Sequence, residues 1–204
     1  MPEDNNKIGN ISTVSEGEDF GIKADDSPFA LSFYFEDFYD DRACKRFINC
    51  VERLIRQSKE YRTYIELLRT NVVELNHDNI LSNITTADAD LEFHHYPFTL
   101  YDIIEILMIH HITNKEKFTT FSIAKEVMAL HYEHIIGLVP LTRTTHELAH
   151  SGNIFISCDQ IFGKYEEFIK RYRDGISADK LEKVKTIKKY SEEGIPSDFK
   201  GLFK

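Results

Sequence analysis

The chain has 204 residues, of which 34 are acidic and 25 are basic, so its formal net charge is −9. A hydrophobic content of 42% and an aromatic content of 12% exclude a wholly disordered polypeptide, and the length suffices for one domain with a buried core. No apolar run reaches the roughly 18 residues that a membrane helix needs, so no membrane partner is expected.

The excess negative charge belongs to the start of the chain. Residues 1–41 contain eleven acids and two bases and carry −9, whereas the residues from Arg42 onward contain 23 of each sign. Residues 1–27 are polar and acidic, which predicts a flexible leader. Segment 28–41 places six aromatic side chains among acids. Such a segment can dock on a basic partner surface or pack on this protein's own core.

Hydrophobic periodicity predicts several helices and a few short strands. A long helix is predicted over 41–71, and a polar loop follows over 76–90. The later predicted elements are a strand over 91–96, helices over 100–112 and 120–136, a strand over 138–141, a short helix over 144–150, a strand over 153–158 and helices over 159–172 and 178–193.

These elements predict an α+β fold that is predominantly helical. Thr99 and Ser177 are suitable N-caps for two of the helices, because their hydroxyls can accept a hydrogen bond from the first turn. Residues 28–175 are predicted to form the body, and residues 176–204 a charged C-terminal helix and tail.

The predicted helix over 41–71 has a basic face, with eight bases against three acids. Such a face can contact a phosphate backbone, receive the acidic leader, or simply be solvated. The candidate nucleic-acid contacts are Arg46, Arg53 and Arg56 on this helix, together with Arg143.

Cysteine usage and the N-terminal composition bear on location. Cys44, Cys50 and Cys158 are odd in number and lack CxxC spacing, so neither a disulfide framework nor a thiolate zinc site is predicted. The first ten residues show neither a basic region nor an apolar one, so no secretory signal is predicted. A cytoplasmic location is therefore expected.

Two histidine motifs carry the chemical signal of the sequence. His94 and His95 end a predicted strand, where neighbouring side chains point to opposite faces. One of them can therefore bind a metal ion while the other faces a different group. His146 and His150 are four residues apart on a predicted helix and can present two imidazoles to one ion.

The second motif alone allows a different interpretation. The segment HELAH (146–150) matches the HExxH pattern of zinc peptidases, in which the glutamate is the general base. Glu166 and Glu167 are the only loose candidates for the third ligand of such a site. This interpretation leaves His94 and His95 unexplained.

Taken together, the segments LEFHHYPFTLYDI (91–103) and LVPLTRTTHELAHSG (138–152) resemble the HNH, or His-Me finger, nuclease family, and in particular its small phage-encoded members. The resemblance implies a small ββα-metal finger over about 91–157 with a helical insertion over 97–137. Thr142 and Thr145 stand where many members of that family have paired cysteines.

The resemblance also implies a site and a function. His94, His146 and His150 would hold one divalent metal ion, with Mg, Mn, Zn and Ni not distinguished, and His95 would be the general base that activates water. Three nitrogen ligands suit zinc, nickel or manganese better than calcium. The protein would then be a metal-dependent endonuclease that hydrolyses phosphodiester bonds in nucleic acid, with DNA the favoured substrate.

The alternative belongs to a different functional class. It is a catalytically inactive scaffold of the same HNH-like kind, acting as a phage accessory protein that binds a protein partner through segment 28–41. The two hypotheses differ in what surrounds the histidines, because a nuclease needs His95 to face an open cleft.

Overall fold

The computed structural model describes residues 40–72 and 75–196. The predictions for the leader, for nearly all of segment 28–41 and for the end of the C-terminal tail therefore lie outside the described residues. Within the described ranges the chain forms seven α-helices and one two-stranded sheet, so the predicted α+β, predominantly helical class is confirmed. None of the described helices has the length and apolar character needed to cross a membrane.

The helices and strands are numbered in chain order. In order they are α1 (Asp41–Gln57), α2 (Lys59–Asn71), β1 (Leu91–His95), α3 (Leu100–Thr113), α4 (Thr120–Tyr132), β2 (Leu138–Thr142), α5 (Arg143–His150), α6 (Tyr165–Arg171) and α7 (Ala178–Glu193), with single 3₁₀ turns at Cys158–Gln160 and Arg173–Gly175.

The predicted helix over 41–71 is two helices that meet at Ser58. The backbone of Ser58 is extended, with φ −66° and ψ 146°, so the helical hydrogen bonds stop there. Its hydroxyl donates to the carbonyl of Ile55 at 2.7 Å and accepts from the amide of Tyr61 at 3.0 Å. Ser58 thus ends α1 and caps α2, which explains the break at a position where the apolar periodicity continues.

The predicted strand over 153–158 is not formed. Residue Phe162 occupies the free side of β2, through a pair of backbone hydrogen bonds with Leu138. Ile156 instead buries its side chain in a small apolar cluster with Val139 and Ile187. The predicted helix over 159–172 is correspondingly shorter and begins only at Tyr165.

The sheet separates two packing environments. β1 and β2 are antiparallel, with His94 opposite Val139 and His95 opposite Leu138. Since side chains alternate along a strand, Phe93, His95 and Leu138 share one face, and that face joins the large core built from α1, α3 and α4. His94 and Val139 share the other face, against the small apolar cluster and α5.

Candidate functional site

Three histidines meet on the outer face of the sheet, and we call them the outer histidine cluster. His94 comes from β1, while His146 and His150 lie one turn apart on α5. The ring centroids are 4.9 Å apart for His94 and His146, 4.8 Å for His94 and His150, and 4.6 Å for His146 and His150. The structure thus brings together the three residues that the sequence predicted as metal ligands.

The nitrogen atoms of the outer histidine cluster converge. Nε2 of His150 lies 3.0 Å from Nε2 of His146. One ligand atom from each of the three rings can be chosen so that all lie within 4.8 Å of one another. His94 is buried, His146 is half-buried and His150 is exposed, so the cluster has a closed floor and an open side.

A neighbouring carboxylate orients one of these rings. Nδ1 of His146 is hydrogen-bonded to the carboxylate of Glu92, which lies two residues before His94 on the same face of β1. A carboxylate can only accept, so the proton of His146 sits on Nδ1. In the neutral ring the lone pair is then on Nε2, which faces His150.

Asp78 stabilises the junction between β2 and α5, although no sequence motif marks it as a functional residue. Its side chain is fully buried. One carboxylate oxygen accepts from the amides of Ile80 and Leu81, at 2.7 and 2.8 Å. The other accepts from the amide of Thr142 at 2.7 Å and from the hydroxyl of Thr145. The two threonines that aligned with paired cysteines are therefore joined through a carboxylate from the polar loop.

The ionised form of Asp78 is favoured by these contacts. Burial alone raises the pKa of a carboxyl group, but the hydrogen bonds from Thr145, Thr142, Leu81 and Ile80 outweigh it and lower the pKa of Asp78. A buried Asp beside a helix N-terminus can be recognised in principle, yet the NHDN segment has no periodicity that shows which of its polar residues is buried.

Burial and neighbouring groups favour the neutral form of two rings of the outer histidine cluster. Burial, followed by the nearby His146, His150 and Lys183, lowers the pKa of His94 to about 3. Burial also lowers the pKa of His150, with further contributions from His146 and Arg56. Neutral imidazoles offer unprotonated nitrogens, which is the form that binds metal ions.

His95 occupies the inner face of β1 and is enclosed by the helical core. Its Nε2 lies 3.0 Å from Nε2 of His131, and Nδ1 of His131 is 2.7 Å from the carbonyl of Val127. Since that carbonyl only accepts, His131 carries its proton on Nδ1. Its Nε2 therefore accepts the hydrogen bond from Nε2–H of His95. The rings of Tyr61 and Tyr64 pack against this pair. His95 therefore faces away from the outer histidine cluster and has no open cleft before it.

The four candidate nucleic-acid contacts lie on two helices, three on α1 and one on α5. Arg143 lies at the start of α5, is largely exposed, and pairs with Glu147 at 3.1 Å within the same helix. Arg56 pairs with Glu52 at 2.8 Å within α1. Arg46 and Arg53 are exposed elsewhere along α1. Of the four, Arg56 comes close enough to the outer histidine cluster to affect the pKa of His150.

A further histidine network lies on α3 and α4. His111 at the end of α3 is held between Glu116 and Glu126, at 2.6 Å from each carboxylate. The hydrogen bond that His111 donates to Glu126 is the main reason why the pKa of His111 is raised. Tyr172 donates to the same Glu126 at 2.9 Å, so the network ties α3 and α4 to the segment that follows α6.

The described residues thus define a small α+β protein with a partly exposed histidine cluster on a ββα unit and a sealed histidine pair behind it. The family model described as bacteriophage G278-like virion protein matches residues 3–200, and the chain belongs to that family. Comparisons with curated proteins and with solved structures find no match.

The family membership overturns the nuclease assignment. The matched family is named for virion proteins, and it covers the two segments that suggested an HNH nuclease together with nearly all the rest of the chain. The resemblance was wrong because a strand with paired histidines beside a helix with histidines four residues apart is a short pattern that unrelated proteins can form. The endonuclease hypothesis and the general-base role of His95 fall with it. The alternative of a phage accessory protein is closer to the family.

Proposed function

We propose that the protein is a non-catalytic component of a bacteriophage virion that works by binding other proteins. The observation that carries the proposal is the family match over residues 3–200, which includes the acidic leader as well as the described body. The described body supports a scaffold role, because its helices and its sheet enclose one large core and one small apolar cluster beneath α5.

The contacts around the histidines favour binding over hydrolysis. His95 is 5% exposed and already donates to His131, so it is not placed to take a proton from a water at the outer histidine cluster. Glu147, the residue that the peptidase interpretation used as a base, forms an exposed ion pair with Arg143. Each of these groups has a structural partner of its own.

Segment 28–41 is the part of the chain that we assign to the protein partner. Its aromatic rings supply apolar area and its acids supply charge complementary to a basic surface. The segment ends at the N-terminus of α1, where the side chain of Asp40 accepts from the amide of Arg42 at 2.9 Å. Segment 28–41 is thus continuous in sequence with α1, whose first turn its last residues cap and begin.

The basic groups on α1 and α2 are an alternative binding site, within the same chain, for the acidic residues 1–41. Seven exposed bases lie on these helices outside the Arg56–Glu52 pair, and they can attract residues 1–41, which carry −9. The seven are Arg42, Lys45, Arg46, Arg53, Lys59, Arg62 and Arg69. A leader bound there would be released when a basic partner in the virion competes for it.

The test is the content of purified particles. Virions of the encoding phage are freed of lysate by density gradients and analysed by quantitative mass spectrometry. We expect the protein at a constant copy number per particle across gradient fractions. Its absence from particles, with abundant protein in the lysate, would refute the virion role.

A pair of deletion variants distinguishes the contribution of segment 28–41 to incorporation from that of the leader, residues 1–27. Deletion of residues 28–39 is expected to abolish incorporation of the protein into virions. Deletion of residues 1–27, which removes seven of the eleven acids of residues 1–41, should be tolerated. Replacing the six aromatic residues by serine while keeping the acids tests the rings alone. Normal incorporation of the 28–39 deletion would assign partner binding to another surface.

The predicted cytoplasmic location and the nucleic-acid partner stay predictions. The family name refers to the virion, and the four arginines proposed for phosphate contact are distributed over two helices. A protein partner is the better supported of the two partner classes.

A further inference from the structure

We propose that His94, His146 and His150 bind one divalent transition metal ion of the zinc class, that this ion ties α5 to β1, and that Glu92 orients His146 for it. The site is independent of the virion role, since it depends on side-chain geometry and not on the family. Among the described residues this is the one group of three or more His, Cys, Asp or Glu side chains whose ligand atoms converge in this way.

The spacing of the nitrogens suits such an ion. Zinc binds imidazole nitrogen at about 2.0–2.1 Å, so two nitrogens at a tetrahedral angle lie about 3.3 Å apart. The Nε2 atoms of His146 and His150 are 3.0 Å apart. The three ligand atoms lie within 4.8 Å of one another, so the widest pair closes by at most roughly 1.5 Å, which rotation of the rings about χ2 can supply.

The surroundings of His146 match those of a metal-binding histidine. Metal-bound imidazoles commonly donate their second ring nitrogen to a carboxylate, which fixes the ring and makes the ligating nitrogen more basic. The hydrogen bond between Nδ1 of His146 and Glu92 has this arrangement, and it turns Nε2 toward the centre of the cluster. Glu92 is a positioning residue here, because it acts through His146.

The chemistry of the donors selects the class of ion. Imidazole nitrogens favour zinc, copper, nickel and cobalt, whereas magnesium and calcium prefer oxygen ligands. The buried ring of His94 forms the inner wall, and the exposed ring of His150 leaves an entry path from solvent. Three protein ligands leave one coordination position on the open side for water or for a ligand from a partner.

The ion would secure a helix that is weakly held by packing alone. α5 has eight residues, and Thr145 is the one that is fully buried. Its N-terminal end is fastened by Asp78 through Thr142 and Thr145, but both ligating histidines lie beyond that point. A helix of this length is marginal without such contacts, so an ion between β1 and the last turn would hold its C-terminal half.

The first experiment measures binding to the full chain after treatment with a chelator. Zn²⁺ is titrated calorimetrically and Co²⁺ by visible absorption, with Mg²⁺ as the oxygen-preferring comparison. We expect one Zn²⁺ per chain, cobalt bands of a four-coordinate site with three nitrogen ligands, a higher melting temperature with Zn²⁺, and no response to Mg²⁺. Absence of stoichiometric Zn²⁺ binding would overturn the proposal.

Matched variants assign the site to these residues. His150→Ala removes an exposed ligand with little risk to the fold, and His77→Ala removes a histidine outside the cluster. We expect His150→Ala to weaken Zn²⁺ binding by more than about 100-fold and Glu92→Gln by about 10- to 100-fold, with His77→Ala unchanged. Equal affinities of His150→Ala and the parent would place the ion elsewhere and overturn the assignment.

Nitrogen NMR of the histidine rings gives a readout that stability does not influence. Zn²⁺ should shift the Nε2 resonances of His146 and His150 and leave those of His131 and His95 in place. Shifts confined to other histidines would refute the site. Virion incorporation is measured separately, so the loss of either proposal leaves the other standing.

Discussion

The two faces of β1 place adjacent histidines in opposite environments. On the inner face His95 donates to His131 and is surrounded by the helical core. On the outer face His94 meets the rings of His146 and His150 beside solvent. The same residue type, one position apart, thus belongs to a closed structural pair on one side and to an open cluster on the other.

The comparison shows what decides the role of a histidine in this fold. The inner pair is a chain of hydrogen bonds that runs from Nε2 of His95 through His131 to the carbonyl of Val127, so three of its four ring nitrogens have partners within the core. In the outer histidine cluster Nδ1–H of His146 donates a hydrogen bond to Glu92, which leaves its Nε2 directed at His150. The role of each histidine group thus depends on where its ring nitrogens find their hydrogen-bond partners.

Loss of Asp78 should have the largest effect, because this residue supports the outer side of the sheet. Asp78→Ala leaves the amides of Thr142, Ile80 and Leu81 and the hydroxyl of Thr145 without their charged acceptor. We expect a loss of roughly 3–5 kcal/mol in the free energy of unfolding, measured by urea denaturation. Asp88→Ala is the control, since Asp88 accepts from Thr85 in an exposed turn. This variant should lose much less of the free energy of unfolding.

A direct comparison of the two faces comes next in size. His131→Leu leaves the buried Nε2–H of His95 without an acceptor and should destabilise the protein by about 2–3 kcal/mol. The same change in the outer histidine cluster, His150→Leu in metal-free protein, should alter stability by less than about 0.5 kcal/mol because the ring is exposed. Equal losses in urea denaturation would show that the two faces are not energetically distinct.

The pH dependence of the inner pair follows from burial. His131 faces His95 from β1 and Tyr61 and Tyr64 from α2, and burial lowers its pKa to about 4. The unfolded chain takes up this proton near pH 6.5, so stability is full above about 6.5 and falls as the pH drops toward 4. His131→Leu should flatten the decline by up to about 1.4 kcal/mol per pH unit, measured as urea midpoints between those values. An unchanged slope would show that the pair does not titrate as described.

His111 should behave in the opposite way. Its pKa is raised, first by the hydrogen bond that it donates to Glu126 and then by Glu116, so its protonated form stabilises the folded state. That contribution is present below about pH 6.5 and is lost as the pH rises through the higher folded pKa. His111→Gln should therefore weaken the protein at acidic pH by under about 1 kcal/mol, with a smaller change at alkaline pH. A larger loss at alkaline pH would contradict the sign.

The smallest effect is expected at the exposed start of α5. Arg143 and Glu147 form an ion pair whose side chains are 83% and 70% exposed. Arg143→Ala should change the free energy of unfolding by less than about 0.5 kcal/mol and leave metal affinity unaltered. A marked loss of either would mean that the outer histidine cluster depends on this pair.

Local patterns explain which parts of the fold could be predicted. Thr99 and Ser177 were recognisable as N-caps, and the structure has both, because a cap depends on hydrogen bonds within three residues. The spacing of His146 and His150 predicted one helical face, and their nitrogens are 3.0 Å apart. The break at Ser58 was missed, since apolar periodicity runs through it and the local hydrogen bonds of one serine decide it.

The sequence by itself determined the helical class, the composition of the leader and the residues that can share a helix or strand face, because these follow from short-range periodicity and charge. Only the tertiary structure decided that His95 meets His131, 36 residues away, that Asp78 reaches Thr145 across 67 residues, and that residues 153–158 form no strand. These choices depend on which distant group occupies a buried space or a free strand edge. Burial makes each of them strongly favourable or unfavourable, and no local pattern records the outcome.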